Sequence, residues 1–248
     1  MIREFWHGER IRERLRQGKV VQQIGHVVQV TGLVIESDGP RLSLGDVCII
    51  RSEVGIEIHA EVVGFKGHRL LLMPLGELRN IQVGAEVVAS GALAGVPVGE
   101  ALKGRILDGL ASPIDGRGSL PPMEMRSVHS SPPNPLLRQR IHAPFATGIR
   151  ALDGFIPVGC GQRVGIFSGS GVGKSTLLGM MARGADSDVN VIALIGERGR
   201  ELREFVEQDL GPEGLKRSVV VVATSDQPAL VRLRAAFTAT AIAEYFRD

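Results

Sequence analysis

The sequence predicts an α/β protein in which a small β-barrel precedes a mostly parallel, helix-covered sheet. Two patterns and one motif predict this fold: short β-rich runs over residues 18–95, alternating strands and helices after residue 147, and a glycine-rich turn that ends in Gly-Lys-Ser at 173–175. The chain has 248 residues, 44% of them hydrophobic, which suffices for one large domain or two smaller ones.

Composition narrows the classes of function. Lys and Arg total 29 against 27 for Asp and Glu, so the net charge of +2 gives no reason to expect nucleic acid as the main partner. Cys48 and Cys160 lie far apart, with no second Cys or His at ligand spacing, which indicates a reducing compartment and no metal cluster. The N-terminus has no apolar run of signal-peptide length, so we expect a cytoplasmic protein.

Residues 1–17 are predicted to form an N-terminal helix. Phe5, Trp6, Ile11 and Leu15 lie roughly on one face of this helix, between arginines. A helix of this length is marginal by itself in water. Two interpretations therefore stay open: a frayed terminus, or a helix that docks onto a partner.

Residues 18–95 are predicted to form the β-barrel. Turn segments such as 37–40 and 66–68 separate short β-rich runs, which is typical of a small closed barrel. No run of basic and aromatic residues accompanies these strands, so we interpret the barrel as an assembly module and not as an RNA-binding one. The predicted strands span residues 20–23, 26–35, 47–51, 56–65, 69–73 and 85–90.

Residues 96–147 are predicted to connect the two parts. Pro and Gly are frequent in this segment, as in 114–118 and 131–135, and such a composition is typical of an extended crossing between domains. Residues 104–109 are expected to make a strand or turn within the connection.

Residues 148–248 are predicted to form the α/β domain. Strands and helices alternate along it, which favours a parallel sheet covered by helices on both faces. We expect strands over 163–167, 189–196 and 218–223, and helices over 174–183, 201–209 and 228–246.

The glycine-rich turn at 168–176 predicts a phosphate-binding loop, or P-loop. An apolar run enters the turn and a helix-forming run leaves it, as such loops require, so a turn that binds nothing fits less well. Lys174 can place a cation on the outer phosphates, and the Ser175 hydroxyl can complete a Mg²⁺ shell. Ser168 stands where the usual pattern opens with Gly. The predicted ATP-binding positions are Ser168, Gly169, Ser170, Gly171, Val172, Gly173, Lys174, Ser175 and Thr176.

Glu197 and Arg198 follow the second strand predicted for this domain. Because ligands bind beyond the carboxyl ends of parallel strands, both side chains should face the same crevice as the P-loop. A carboxylate there can orient the water that attacks the γ-phosphorus. The alternative is a solvated charge cluster that joins strand to helix. We interpret the charged residues in 200–204 as surface or subunit-contact charges. We predict Lys174, Glu197 and Arg198 as catalytic residues and Ser175 as the Mg²⁺ ligand.

Several of these motifs together resemble a known family. The β-rich N-terminal third and residues 147–153, 161–163, 169–175 and 196–198 are similar to the catalytic subunits of rotary ATP synthases. The chain more closely resembles the flagellum-specific ATPase of the type III protein export apparatus, on residues 72–77, 179–183, 196–201 and 223–232. The resemblance extends from about residue 18 to the end of the chain.

The resemblance implies a β-barrel followed by a RecA-like P-loop domain, assembled as a homohexameric ring that hydrolyses ATP with Mg²⁺. Such a ring delivers unfolded flagellar proteins at the base of an export channel, with other export proteins, a regulator that holds the N-terminal helix, and peripheral membrane association at the export gate. By residue match, Lys174 corresponds to the phosphate-binding lysine, Ser175 to the Mg²⁺ ligand and Glu197 to the water-activating carboxylate. Non-catalytic ring subunits of ATP synthases carry Gln at that last position, which favours a working ATPase.

The family pattern continues beyond Asp248, into a strand with the Mg²⁺-associated aspartate, an arginine that reaches the neighbouring site, and a helical C-terminal domain. We therefore expect a truncated product or fragment, with an incomplete ATPase domain. Three other functions stay open: the ATPase of a virulence type III secretion system, a nucleotide-binding assembly subunit that does not hydrolyse ATP, and an RNA-dependent hexameric helicase. The segment 224–229 favours the flagellar branch, and the absence of a basic tract disfavours the helicase.

Overall fold

The computed structural model describes residues 23–52, 55–76, 81–90, 95–169 and 171–248. The chain divides into two compact units, Met1–Leu93 and Ala94–Asp248. The N-terminal helix predicted over 1–17 and the loop residue Ser170 lie outside the described residues. Within the described ranges, no helix is both long and apolar enough to cross a membrane.

The first unit contains a closed barrel of antiparallel strands, which confirms the predicted barrel. Its strands are β1 (Ile24–Thr31), β2 (Val34–Ser37), β3 (Val47–Arg51), β4 (Glu57–Lys66), β5 (Arg69–Pro74) and β6 (Glu86–Ala89). Around the barrel the order is β1-β2-β5-β4-β3-β6. The run predicted as one strand over 26–35 is two strands, because the chain turns after Thr31 and returns at Val34.

The barrel interior is filled by alternate residues of its strands. Ile35 and Leu72 are fully buried, because successive strand residues point to opposite faces and one set lines the interior.

The side chain of Glu36 is also nearly buried, and its carboxylate accepts hydrogen bonds from Lys66 Nζ at 2.6 Å and Arg69 Nη1 at 2.9 Å. Lys66 and Arg69 together hold the pKa of the Glu36 carboxyl below its usual value, so its buried charge is paired.

The second unit is built on a parallel sheet, as the alternating pattern predicts. Its strands are β7 (Gly95–Val98), β8 (Ile106–Asp108), β9 (Glu124–Ser127), β10 (Pro144–Phe145), β11 (Val158–Gly159), β12 (Asn190–Ile195) and β13 (Ser218–Ala223). In the main sheet, β13 lies between β12 and β8 and is parallel to both. Antiparallel pairs of β7 with β9 and of β10 with β11 are separate from this sheet.

Helical segments cover both faces of β13. They are α1 (Arg150–Phe155), α2 (Lys174–Gly184), α3 (Gly199–Glu204), a π-helical turn (Phe205–Leu210), α4 (Gly211–Lys216) and α5 (Ala229–Arg247). Val219 and Val221 belong to one apolar cluster with residues of α5. Val220 and Val222 belong to another, with residues of α2 and of the π-helical turn. Short 3-10 turns occur at Glu100–Leu102 and Pro135–Leu137.

The strand predicted over 163–167 is wrong, because these residues form no strand in the structure. The described residues supply no neighbouring strand for this segment, and an apolar run without a hydrogen-bonded partner does not become a strand. Val164 and Phe167 are accordingly 54% and 96% exposed. The segment 96–147 contributes β7 to β10 to the second unit, including β8 at the edge of the main sheet.

Asp115 fixes the segment that brings β8 to the sheet. Its carboxylate accepts hydrogen bonds from Arg105 Nε at 2.6 Å and Nη2 at 3.0 Å, and from the main-chain N–H groups of Ile106 and Arg117. The Arg105 guanidinium, more than any other group, holds the pKa of the Asp115 carboxyl well below its usual range. The side chains of Arg105 and Asp115 are only 11% and 5% exposed, so the two residues form a buried salt bridge within the second unit.

Candidate functional site

The glycine-rich loop places free main-chain donors at the beginning of α2. Gly171 and Gly173 have φ angles of 76° and 92°, a left-handed conformation that glycine adopts without steric cost. Gly173 is the N-cap of α2, and no side chain caps its first N–H groups. Such unpaired N–H groups, at the positive end of a helix dipole, are suited to an anion.

The side chains of the loop are open to solvent. Val172, Lys174, Ser175 and Thr176 are all exposed, and the hydroxyl of Ser168 donates to the carbonyl of Gly169 at 3.3 Å. The predicted nucleotide-binding positions that the structure describes therefore form one continuous accessible surface, from the end of the loop into the first turn of α2.

Glu197 lies next to this loop, as the position of the strand ends predicts. It lies two residues after the end of β12, and its Oε1 atom is 3.8 Å from Nζ of Lys174. The two side chains are 40% and 43% exposed, so the ion pair is weak and both groups are available to a ligand. Two residues that are distant in the sequence thus meet at the carboxyl edge of the sheet.

The side chain of Arg198 is more exposed than those of Lys174 and Glu197. Arg198 is the N-cap residue of α3, its side chain is 66% exposed, and its Nη1 atom is 3.4 Å from Oε1 of Glu201. The ion-pair partner of its guanidinium is Glu201 and not a described residue of the loop.

A small cavity of about 30 Å³ opens between α2, β12 and α3. This volume is large enough for about one water molecule. Glu201, which the sequence suggests is a surface or subunit-contact charge, lies in the wall of this cavity. Helical spacing from Glu197 does not indicate this position, because Glu197 precedes the first residue of α3. The lining residues are Lys174, Ser175, Leu178, Leu194, Glu197, Glu201, Leu202 and Phe205.

Comparison with models of protein families shows which family this chain belongs to. Residues 148–248 match the model of the ATP synthase alpha/beta family, nucleotide-binding domain, and residues 27–91 match the model of the same family's beta-barrel domain. The chain belongs to the ATP synthase alpha/beta family. Both matched ranges correspond to parts of the fold described above: the barrel, and the α/β half that contains the glycine-rich loop.

The curated relatives of this family member include flagellar and secretion proteins. The chain is 54% identical over 229 residues to the flagellum-specific ATP synthase of Bacillus subtilis (strain 168), covering 92% of this chain and 52% of the relative. It is 50% identical over 230 residues to a type 3 secretion system ATPase of Xanthomonas euvesicatoria, covering 92% of this chain and 52% of the relative. The chain thus spans about half the length of the curated relatives it matches.

Solved structures of the family share this fold. The assembled ATPase EscN from the enteropathogenic E. coli type III secretion system superposes with a TM-score of 0.79 at 43% identity, covering 90% of this chain and 54% of that chain. EscN in complex with its central stalk EscO gives a TM-score of 0.82 at 44% identity, covering 90% of this chain and 55% of that chain.

Within this family domain, Arg217 anchors the C-terminal end of α2. Its guanidinium donates to the carbonyls of Ala182 and Ala185 at 2.9 Å each and of Ser187 at 3.3 Å. Asn190 adds a hydrogen bond from Nδ2 to the Ala182 carbonyl at 2.8 Å. A cation at the negative end of α2 complements the helix dipole, while the positive end faces the site. No local pattern indicates this contact, because Arg217 lies more than thirty residues after the end of α2.

Gly179 lets α2 lie directly against the π-helical turn. A Cβ atom at this position would be 2.5 Å from the carbonyl oxygen of Asp209, closer than real contacts allow. Phe205, the first residue of this turn, lines the cavity. The close contact at Gly179 therefore joins α2, the helix that follows the loop, to one wall of the cavity.

The donors at the site fit a nucleotide with a hard divalent cation. Lys174 and the free N–H groups of α2 suit phosphate oxygens, and the Ser175 hydroxyl with nearby carboxylates suits Mg²⁺, which prefers oxygen ligands. Among the described residues, no group of three or more His, Cys, Asp or Glu side chains could hold a metal by itself. This arrangement fits a cation that shares its ligands with substrate phosphates.

Proposed function

We propose that this chain is the nucleotide-binding part of an ATPase that serves flagellar type III protein export. The observation that supports the proposal most directly is the 3.8 Å approach of Lys174 Nζ, on the glycine-rich loop, to Glu197 Oε1 after β12. One group suits binding of the phosphates and the other suits orientation of the attacking water, and these are the two tasks that phosphoryl transfer demands of a protein.

In the proposed mechanism, each residue has one task. The N–H groups of the loop and Lys174 bind the outer phosphates of ATP, and the Ser175 hydroxyl holds Mg²⁺, which neutralises charge on the phosphates when it is bound. Glu197 orients the water in line with the γ-phosphorus and polarises it. Arg198, at the rim, adds positive charge near the phosphates once it leaves Glu201.

Flagellar export is favoured over virulence secretion by similarity. The flagellum-specific ATP synthases of Bacillus subtilis and Treponema pallidum are each 54% identical to this chain, and the Xanthomonas type 3 secretion ATPase is 50% identical. In the proposed function, ATP hydrolysis drives delivery of flagellar proteins to the export apparatus. Virulence secretion is the alternative, and analysis of neighbouring genes distinguishes the two.

The proposed protein works as a homohexameric ring in the cytoplasm. Support comes from the solved neighbour EscN, which is described as an assembled ATPase and as a complex with its central stalk EscO. By analogy, the partners are further copies of this chain, a stalk, other export proteins, a regulator at the N-terminal segment and the exported proteins, with peripheral contact at the membrane.

Measurement of ATP binding and phosphate release tests the function. The protein used is the chain extended at its C-terminus with the remaining residues of the Bacillus subtilis relative, and the 248-residue chain is measured beside it. We expect Mg²⁺-dependent release of phosphate by the extended protein. Binding of ATP without any release would instead identify a nucleotide-binding assembly subunit that does not hydrolyse ATP.

A further inference from the structure

The C-terminal end of α2 lies against the main chain of residues 146–148. Gly148 has a φ angle of 76°, and a Cβ atom added to it would lie 2.5 Å from the carbonyl oxygen of Gly184, the last residue of α2. Just beyond the helix, Asp186 N–H donates to the Ala146 carbonyl at 3.0 Å. The two stretches of main chain are therefore so close that only glycine fits at position 148.

The carboxylate of Asp153, in α1, holds the segment that contacts α2. Its Oδ1 atom accepts hydrogen bonds from the Thr147 N–H at 2.8 Å and from the Thr147 hydroxyl at 2.7 Å. Its Oδ2 atom accepts one from the Gly148 N–H at 3.1 Å. The Thr147 hydroxyl, in a fully buried residue, also accepts a hydrogen bond from the Ile149 N–H at 3.2 Å. One carboxylate therefore fixes both residues of the turn 147–148.

Helix α2 connects this contact to the candidate site. Its 11 residues span about 16 Å, with Lys174 and Ser175 in the first turn and Gly184 at the other end. Because main-chain hydrogen bonds make a helix rigid, a displacement at Gly184 moves the N–H groups of the first turn by a similar amount. The position of these donors therefore depends on the contact between Gly148 and Gly184.

We propose that Asp153 is a positioning residue for the phosphate-binding loop, because it holds the turn 147–148 against the end of α2. The inference rests on the proposed function and adds a residue to it. Asp153 acts through α2 and does not itself bind the nucleotide. Charge-assisted hydrogen bonds to phosphate are short, so a displacement of α2 by a fraction of an ångström weakens several of them together. Loss of this contact therefore lowers the affinity for ATP.

Two substitutions in the 248-residue chain test this role by different routes. Asp153→Asn keeps the size of the side chain and removes one acceptor oxygen, whereas Gly148→Ala places a Cβ atom against Gly184. Titration calorimetry with ATP and Mg²⁺ should show an affinity about tenfold lower for each variant. Hydrogen exchange at the Asp186 amide should accelerate in both, because its bond to Ala146 weakens.

Two control variants separate positioning from a general loss of stability. Gly154→Ala is the matched control for Gly148→Ala, since a Cβ atom added at Gly154, also in α1, meets no atom within 4 Å. Asp46→Asn removes a comparable carboxylate from the barrel, where Asp46 Oδ2 accepts a hydrogen bond from the Ser43 N–H at 2.7 Å. Both controls should bind ATP with the affinity of the unsubstituted chain.

The outcomes distinguish the inference from the proposed function. An unchanged ATP affinity of Asp153→Asn with faster exchange at Asp186 overturns the positioning role, as does an equal loss of affinity in Asp46→Asn. If the unsubstituted chain binds no ATP, the proposed function fails, and the exchange measurement still decides whether Asp153 holds the turn against α2. Equal Asp186 exchange in Asp153→Asn and in the unsubstituted chain overturns the inference in either case.

Discussion

Lys174 and Glu197 are useful at this site because of what their side chains can and cannot do. Lysine carries a point charge on a flexible stem, so it can leave Glu197 and follow a phosphate. Glutamate offers carboxylate oxygens that can accept a hydrogen bond from a water molecule and orient it. Both side chains are less than half exposed, at 43% and 40%, and neither is locked in a short contact. The pair is therefore open to rearrangement when a nucleotide arrives.

Lys174→Ala should weaken ATP binding by roughly 10- to 100-fold, because it removes a charge-assisted contact worth about 1.5–3 kcal/mol. Titration calorimetry with ATP and Mg²⁺ measures the effect directly. Lys216→Ala is the matched control, since Lys216 is an exposed lysine paired with Glu213 away from the loop. Equal affinities of the Lys174 variant and the unsubstituted chain would remove the loop from the proposed site.

Glu197→Gln should keep ATP binding and lower turnover by about 100-fold, because the amide keeps the shape of the side chain and cannot take a proton from water. Single-turnover phosphate release by the extended protein measures this effect. Glu213→Gln, at an exposed position of α4, should leave the rate unchanged. If the Glu197 variant retains turnover within a few fold, the catalytic carboxylate is another residue.

At the scale of elements, contacts away from the site hold the helices and strands that form it. Arg217 holds the C-terminal end of α2, and Gly179 lets α2 lie against the π-helical turn. The salt bridge between Arg105 and Asp115 fixes β8 against β13. Strand β13 in turn pairs with β12, the strand that precedes Glu197. The loop and the carboxylate are therefore positioned by contacts that touch neither of them.

Asp115→Asn should destabilise the protein at neutral pH by about 3 kcal/mol, because it leaves the Arg105 guanidinium buried without its charge partner. The folded-state pKa of Asp115 lies below its unfolded value of about 3.9, so the stabilisation is complete above that value. It is lost as the pH falls from there towards the folded-state pKa.

Urea unfolding at several pH values measures the difference between Asp115→Asn and the unsubstituted chain. The difference should be largest near neutral pH and should shrink as the pH falls below about 4. Asp186→Asn, at an exposed position, should show little difference at any pH. A gap that stays constant down to acidic pH would show that the Asp115 charge does not stabilise the fold.

At the scale of the whole molecule, the two units have separate cores. One apolar cluster fills the barrel, and two others cover the faces of β13 in the second unit. Every described residue of the candidate site belongs to the second unit, Ala94–Asp248. The described residues of the proposed nucleotide site therefore all come from that unit.

A fragment of residues 94–248 should bind ATP with an affinity within a few fold of the 248-residue chain, because the barrel contributes no residue to the described site. Parallel titrations of the two proteins with ATP and Mg²⁺ measure this. Circular dichroism first establishes that the fragment is folded. A folded fragment that does not bind ATP would show that the barrel takes part in the site.

The sequence by itself determined the local features of this protein. The turn-separated runs predicted the barrel, the alternation of apolar segments predicted the parallel sheet, and residues 168–176 predicted the loop at the start of α2, because periodicity and glycine placement act over a few residues. The position of Glu197 could also be predicted, since the carboxyl ends of parallel strands share one edge.

Only the tertiary structure decided which distant segments meet. The strand expected over 163–167 is absent, because strand formation requires a neighbouring backbone that no local pattern specifies. Arg217 reaches the end of α2, Glu201 lines the cavity, and the Ser225 N–H bonds to Glu197. These contacts depend on how helices pack and on where strand ends lie in three dimensions, so the chain must fold before they exist.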